Sequence, residues 1–493
     1  MKKLTDYPDS DLRIFERPPL PSPELLQSVF LIGICGTGMG SLATLFAEAG
    51  YIVSGSDQAA YPPMSVTLAN QGIQVSGDFS VSNLARKPDL IVVGNSCTPR
   101  HVEAAFARDH SMVQSSFPEA LAHYFIRNKK SIVVAGTHGK TTTTSLLVHV
   151  FRMARINPGY LVGGIMGDQT PNAASGLSDY FLVEGDEYDS AYFDKRPKFM
   201  HYRPSSAIVT SVEFDHADIY ESPEDYVDAF ESFVKLLPSD GFLALNGDDA
   251  TTVRLAAHTK ARVCLYGFGA ESTVRASRVR TDQNGQTFEL FRSEKSLGRF
   301  HLPMHGRHNL SNALAVSAIA LDEGISIKTL SSALASFAGI QRRQQVLGEE
   351  RGVIVVDDFA HHPTAVRATI EACRERWPER RIVAIFEPRS NSSRRKVFET
   401  GYLQAFSDAG AAFLKRPPFR HNDRRNDFMD IDGIVNRLCS RGVHAFSAET
   451  VDELLSSLLE FLHPGDVALI MSNGGFADIH RRLLTELQDL AIS

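Results

Sequence analysis

The sequence predicts an α/β protein built from three domains. One observation is length, since 493 residues exceed what a single hydrophobic core organises. Another is a pattern met three times: an apolar strand runs into a glycine-rich or polar loop and then into a helical stretch. Strands alternating with helices form parallel sheets, whose ligands sit at the carboxyl ends of the strands. The third is composition, 43% hydrophobic and 22% charged, which belongs to soluble globular chains.

In chain order, the first segment opens with Val29-Phe30-Leu31-Ile32, then a glycine loop and a helical stretch from Leu42 to Glu48. Its next strands are Tyr51-Ile52-Val53, ending at Gly55-Ser56-Asp57, and Leu90 to Val93, ending at Gly94-Asn95-Ser96. The second segment starts at Ser131 to Ala135. It continues with strands at Tyr180 to Val183 and Ala207 to Thr210, each ending in carboxylates or a histidine. The third starts at Val353 to Val356, followed by Arg381 to Phe386 and Asp466 to Ile470, each with polar residues directly after it. Connectors at Arg127 to Lys130 and Gln341 to Gln344 place boundaries near 128 and 342, which gives domains of 1–128, 129–342 and 343–493.

A net charge of −7 gives no reason to expect nucleic acid or an anionic membrane as partner. The first 29 residues hold no apolar core for a signal peptide. No apolar run reaches the roughly 18 residues that cross a bilayer. The five cysteines show neither paired nor metal-ligand spacing and read as reduced thiols. These features describe a cytoplasmic protein.

The strongest motif is Gly136-Thr137-His138-Gly139-Lys140-Thr141-Thr142, set between a strand and a helix. Small residues let backbone N–H groups close on phosphate oxygens, and the helix N-terminus adds a favourable field. Lys140 then neutralises the β- and γ-phosphates, and the Thr141 hydroxyl can ligate Mg²⁺. Val134 stands where the usual pattern has its first glycine, so the loop is a shortened variant. The earlier loop, Gly33 to Gly40 with Gly36, Thr37, Gly38 and Met39 at its helix start, suits a diphosphate, and Asp57 could accept a ribose hydroxyl. Cys35 interrupts the usual fingerprint there, and a tight turn without ligand is the alternative.

Glu184-Gly185-Asp186-Glu187-Tyr188-Asp189 follows a strand, where a carboxylate beside a phosphate loop can ligate Mg²⁺. Glu184 is the candidate, and Asp189 reads as a solvated charge. His216, in Glu213 to Asp218, could hold a second metal or position a phosphoryl group; a structural loop histidine is the alternative. Asn309 and Asn312 are three apart, so they share a helix face and could reach an adenine together, although helix capping explains them as well.

These residues, in this order, resemble the Mur ligase family. The match runs through Gly136 to Thr141, Glu184, Asp215-His216, His308-Asn309 with Asn312-Ala313, Arg343, and Asp358 with Ala360-His361. The resemblance implies a Rossmann-like domain for a UDP-sugar, a central P-loop-type domain for ATP, and a Rossmann-like C-terminal domain for the incoming amino component. It implies ATP and Mg²⁺ as cofactors and small-molecule substrates as partners. It also implies an acyl phosphate on the muramyl carboxylate, attacked by an amine. Lys140, Arg343 and Mg²⁺, with Thr141, Glu184 and His216 as metal ligands, would stabilise phosphoryl transfer. Asn309 and Asn312 would meet the adenine and Asp358 the ribose. Gly36, Thr37, Gly38, Met39, Asp57, Asn95 and Ser96 would hold the UDP-sugar.

Several members carry a carbamylated lysine four residues after a tyrosine, where this chain has Phe230 after Tyr226. That absence resembles the branch whose carboxyl donor is UDP-N-acetylmuramate. Phe193 to Phe199, Glu387-Pro388-Arg389-Ser390-Asn391 and Met471 to Phe476 resemble the members of that branch whose acceptor is a recycled murein tripeptide, which implies L-alanyl-γ-D-glutamyl-meso-diaminopimelate as acceptor here. Free L-alanine is the alternative. A tripeptide carries several carboxylates, and Arg389, Ser390 and Asn391 after the strand Ile382 to Phe386 are the candidates to bind them. Arginines that cap a helix or face solvent are the alternative.

Overall fold

The computed structural model describes residues 13–58, 64–216, 219–419 and 427–492; Ala217 and Asp218 of the expected histidine loop lie outside them. The chain forms two compact units. One comprises residues up to Val212, Glu224–Arg275 and Ala315–Ala333; the other comprises Glu213–Pro223, Ala276–Leu314 and the residues from Leu334 onward.

The first unit contains two sheets. In the first, β1 (Ser28–Ile32), β2 (Ile52–Ser56), β3 (Gln74–Ser76), β4 (Leu90–Val93) and β5 (Gln114–Ser116) lie in the order β3-β2-β1-β4-β5. All are parallel, as the strand–helix alternation requires. The helix α1 (Thr37–Glu48) leaves β1 through the Gly33–Gly36 turn. Its Leu42, Leu45 and Phe46 are fully buried, a spacing of three to four that gives a helix one apolar face.

The second sheet contains β6 (Lys130–Ala135), β7 (Gly159–Leu161), β8 (Ala173–Ala174) and β9 (Tyr180–Gly185). After a two-stranded ribbon, β10 (Asp189–Ala191) with β11 (Asp194–Pro197), it adds β12 (Ser206–Val209), β13 (Phe242–Asn246) and β14 (Arg262–Gly267). The order within this unit is β14-β13-β12-β6-β9-β7-β8, and only the short edge strand β8 runs antiparallel. β6 is central, and its Ser131 to Ala135 are buried on both faces, so it reads as an uninterrupted apolar run. The helix α2 (Lys140–Met153) follows it. Tyr192, in the turn of the ribbon, joins the core of the first sheet with Phe30, Ile32 and Ile91, which packs the ribbon against that sheet.

The helix α3 (Pro223–Val234) starts with proline and carries Glu224 and Asp225 in its first turn, both suited to a helix N-terminus. Its Tyr226, Phe230 and Phe233 are fully buried. Phe230 packs on Tyr226 and Phe199 with ring centroids 5.3 Å and 5.5 Å apart.

The chain passes to the second unit within β15 (Val274–Asp282), whose neighbour β16 (Gly285–Arg292) pairs antiparallel with β17 (Lys295–Leu302). The β16–β17 pair departs from the parallel expectation. The helix α4 (Arg307–Asp322) follows. The remaining sheet holds β18 (Gln345–Glu350), β19 (Val353–Asp358), β20 (Arg381–Phe386), β21 (Ala411–Lys415), β22 (His444–Ala448) and β23 (Asp466–Met471). Its order is β18-β19-β23-β20-β21-β22, parallel apart from the edge strand β18. Alternate residues enter opposite layers. Ile354, Ile382 and Leu469 face one core with α5 (Pro363–Arg376), while Val355, Val383 and Ile470 face the other with Leu454 and Leu483.

None of the five cysteines forms a disulfide among the described residues. Among the described residues no helix is long and apolar enough to cross a membrane.

Candidate active site

The shortened loop leaves the carboxyl end of β6 and feeds α2, as the sequence predicts. Gly136 has φ +130, and a Cβ there would lie 2.1 Å from Thr210 Oγ1, so only glycine fits. Gly139, at φ +81, is the residue before the helix, and no side chain caps α2. The first N–H groups of that helix therefore have no side-chain cap competing for them. The Thr137 N–H donates to Ser211 O at 2.9 Å and the His138 N–H to Ser211 Oγ at 3.1 Å, which ties the loop to the end of β12.

Lys140 Nζ donates to Gly136 O at 2.6 Å and pairs with Glu187 Oε2 at 2.8 Å. Burial opposes its charge, but Glu187 and Asp186 outweigh burial and raise its pKa. Thr141 Oγ1 donates to Glu184 Oε2 at 3.0 Å, and the Gly163 N–H donates to Glu184 Oε1 at 2.5 Å. Burial, and then the neighbouring Asp186, push the Glu184 carboxyl up to about 7. The structure thus brings Thr141 and Glu184 together, an oxygen donor set of the kind Mg²⁺ takes. Asp189 forms an ion pair with Lys195.

The sequence alone gives Glu187 no role within the acidic stretch and marks Tyr226 only by its spacing to Phe230. The structure places both at the loop, with the Tyr226 hydroxyl 3.2 Å from Glu187 Oε1 and 2.9 Å from Thr137 Oγ1. A lysine in an otherwise apolar strand–loop–helix setting needs a carboxylate, and that need was the available signal. Phe230, buried among aromatic rings, offers no ligand at the position of the carbamylated lysine.

In the first sheet, Gly36 precedes α1 without a side-chain cap, so Thr37, Gly38 and Met39 present the helix's first N–H groups. Asp57 ends the turn after β2 and accepts the Cys35 N–H at 2.9 Å. Asn95 and Ser96 are exposed after β4. All seven candidates lie at the carboxyl edge around β1, where strand order reverses direction.

His216 belongs to the second unit. It has φ +53, and its N–H donates to Asp215 Oδ1 at 2.7 Å and Ser392 Oγ at 3.1 Å. Burial alone would raise the Asp215 pKa, but His216, Ser392 and His362 hold it well below the usual range. Asn309 and Asn312 lie in the first turns of α4, both buried, and Asn309 Nδ2 donates to His305 O at 2.8 Å. Asp358 ends β19. Its oxygens accept the Gln344 and Ala360 N–H groups at 2.8 and 2.7 Å, and burial raises its pKa despite the nearby Arg343. The Arg343 guanidinium lies over the Phe359 ring at 5.0 Å.

β20 and β23 are adjacent, with Phe386 opposite Met471, so the loops after them meet. Ser472 Oγ donates to Glu387 Oε2 at 2.5 Å. Arg389 lies over Gly474, where a Cβ would come within 1.6 Å of Nη1. Arg389 and Asn391 are exposed. Arg394 is buried and donates to Ser390 O and Asn391 Oδ1, which fixes the loop that carries Arg389.

The chain matches three family descriptions in succession: "Mur ligase family, catalytic domain" over 29–129, "Mur ligase middle domain" over 134–320, and "Mur ligase, glutamate ligase domain" over 342–474. It is 33% identical to a UDP-N-acetylmuramate--L-alanyl-gamma-D-glutamyl-meso-2,6-diaminoheptandioate ligase of Haemophilus influenzae, covering 94% of this chain and 100% of that one. A UDP-N-acetylmuramate--L-alanine ligase of Desulfitobacterium hafniense is 31% identical, with 92% and 99% covered. Among solved structures, a murein peptide ligase of Psychrobacter arcticus aligns with a TM-score of 0.73 at 32% identity, over 94% of this chain and 99% of that one. Three domain matches in order and full-length relatives agree with the loop, the acidic strand end and the paired third-domain loops: the chain belongs to the Mur ligase family of ATP-dependent, amide-bond-forming ligases.

Proposed function

We propose that this enzyme joins L-alanyl-γ-D-glutamyl-meso-diaminopimelate to UDP-N-acetylmuramate in murein recycling, in the cytoplasm. The observation that carries the acceptor choice is the seating of Arg389 over Gly474, where the Glu387–Asn391 and Met471–Phe476 loops meet. The relative named for this tripeptide supports it. L-Alanine as acceptor is the second reading, favoured by the 31% identity to a ligase of that name.

In this reading the lactyl carboxylate attacks the γ-phosphorus of ATP, the bond to the bridging oxygen breaks, and ADP leaves an acyl phosphate. The peptide amine then attacks the acyl carbon and loses a proton, and the tetrahedral adduct collapses with release of inorganic phosphate. Lys140 and the loop of Gly136, Thr137, His138, Gly139, Thr141 and Thr142 bind and orient the phosphates, with the Thr137 and His138 N–H groups fixing the loop on Ser211, because phosphoryl transfer is mostly positioning and charge stabilisation. Mg²⁺, when bound, supplies positive charge to the phosphate oxygens; Thr141 and Glu184 would hold it, and His216 is assigned to metal binding on the motif match alone. Asn309 and Asn312 are assigned to the adenine, Asp358 to the ribose and Arg343 to the phosphoryl charge, roles that rest on the motif match. Gly36, Thr37, Gly38, Met39, Asp57, Asn95 and Ser96 take the UDP-sugar. The domain division 1–128, 129–342 and 343–493 belongs to the same reading.

Steady-state kinetics of Arg389→Ala test it. The expected result is a tripeptide kcat/KM lowered by about thirtyfold with an unchanged KM for UDP-N-acetylmuramate, the loss of one charge-assisted carboxylate contact. Wild-type tripeptide kinetics in that variant would remove Arg389 from the acceptor site.

A further inference from the structure

We propose that Glu187 is a positioning residue of the phosphate loop: it seats the Lys140 ammonium and, through Tyr226 and Thr137, holds the loop ready for a nucleotide. This rests on reading Gly136–Thr142 as the ATP loop. Lys140 has three N–H donors. One meets Gly136 O at 2.6 Å and one meets Glu187 Oε2 at 2.8 Å. Thr137 O, at 3.5 Å, is too far for a good bond, which leaves the third donor for a phosphate oxygen. A lysine stem is long and flexible, so ordering it before the nucleotide arrives removes an entropic cost from binding.

Glu184 does not serve this purpose, because its oxygens take the Thr141 hydroxyl and the Gly163 N–H. Glu187 is 1% exposed, which excludes a solvated charge. Its second oxygen meets the Tyr226 hydroxyl, which also meets Thr137 Oγ1. One carboxylate thus joins the turn after β9, the helix α3 and the loop after β6. A buried ion pair adds little stability compared with apolar packing, so its presence beside the loop points to placement of the lysine.

The test uses the full-length enzyme with Glu187→Ala, Glu187→Gln and Tyr226→Phe. Calorimetric titration with Mg·ATPγS reads nucleotide binding without any acceptor, and steady-state kinetics read KM and kcat. Glu187→Ala is expected to weaken ATPγS binding and raise KM for ATP by at least about tenfold, with KM for UDP-N-acetylmuramate unchanged. Glu187→Gln keeps an acceptor for Lys140 and is expected to recover binding to within about threefold of wild type. Tyr226→Phe keeps the buried ring and is expected to shift binding in the same direction by less. It carries the test if Glu187→Ala does not fold. Wild-type nucleotide affinity in the folded Ala variant overturns the proposal, as does a Gln variant no better than Ala. If wild-type enzyme itself binds no ATPγS, the reading of the loop falls and this proposal with it.

Discussion

Lys140 is held closely by Gly136 O and Glu187 Oε2, with Thr137 O only a long contact at 3.5 Å, in a site where Gly136 and Gly139 bring the backbone close. Removing its charge takes away stabilisation of the transferring phosphoryl group in a partly dehydrated setting. Lys140→Ala is therefore expected to lower kcat/KM by about a thousandfold or more. Turnover near wild type in the purified variant would refute the assignment. Glu184 differs, because burial already raises its carboxyl to about 7 and a divalent cation would favour its charged form. Glu184→Gln is expected to raise the Mg²⁺ concentration for half-maximal activity by about tenfold or more. An unchanged Mg²⁺ titration would take it out of the metal site.

Elements buried on both faces were legible in the sequence. β6, β19 and β23 are apolar runs bounded by turns, so each strand and the polar residues at its end could be read directly. β15 and β17 were missed because they alternate apolar and charged residues and lie largely exposed, a pattern that a surface loop shares. The setting of His216 was also illegible, since Asp215 and His216 take Ser392 and His362 from far along the chain. In the sequence Phe230 only marks the absent lysine; in the structure it anchors α3 in an aromatic cluster. Phe230→Ala is expected to destabilise the fold by about 3–5 kcal/mol, read by denaturant unfolding. A loss under about 1 kcal/mol would mean the cluster closes over the gap. In the third domain, Gly474→Ala would push Arg389 aside by placing a methyl against its guanidinium. It should reproduce the tripeptide defect of Arg389→Ala while leaving the UDP-sugar KM alone, and wild-type peptide kinetics would show that Arg389 acts elsewhere.

At the scale of the whole molecule, family membership follows from motifs spread over all three domains, whereas the acceptor depends on a few loop residues. The phosphate loop and the first sheet serve either acceptor equally, because both readings share one carboxyl donor. Glu387–Asn391 and Met471–Phe476 are where the readings part. A pocket for free L-alanine needs one carboxylate partner, while the tripeptide presents several carboxylates and a distal ammonium. The most direct measurement is phosphate release by the wild-type enzyme with ATP, Mg²⁺ and UDP-N-acetylmuramate, comparing the tripeptide with L-alanine at equal concentrations. The account expects turnover with the tripeptide at a kcat/KM at least about a hundredfold above that for L-alanine, a difference of about 2.7 kcal/mol in transition-state binding. Preference for free L-alanine, or phosphate release indifferent to either amine, would contradict it.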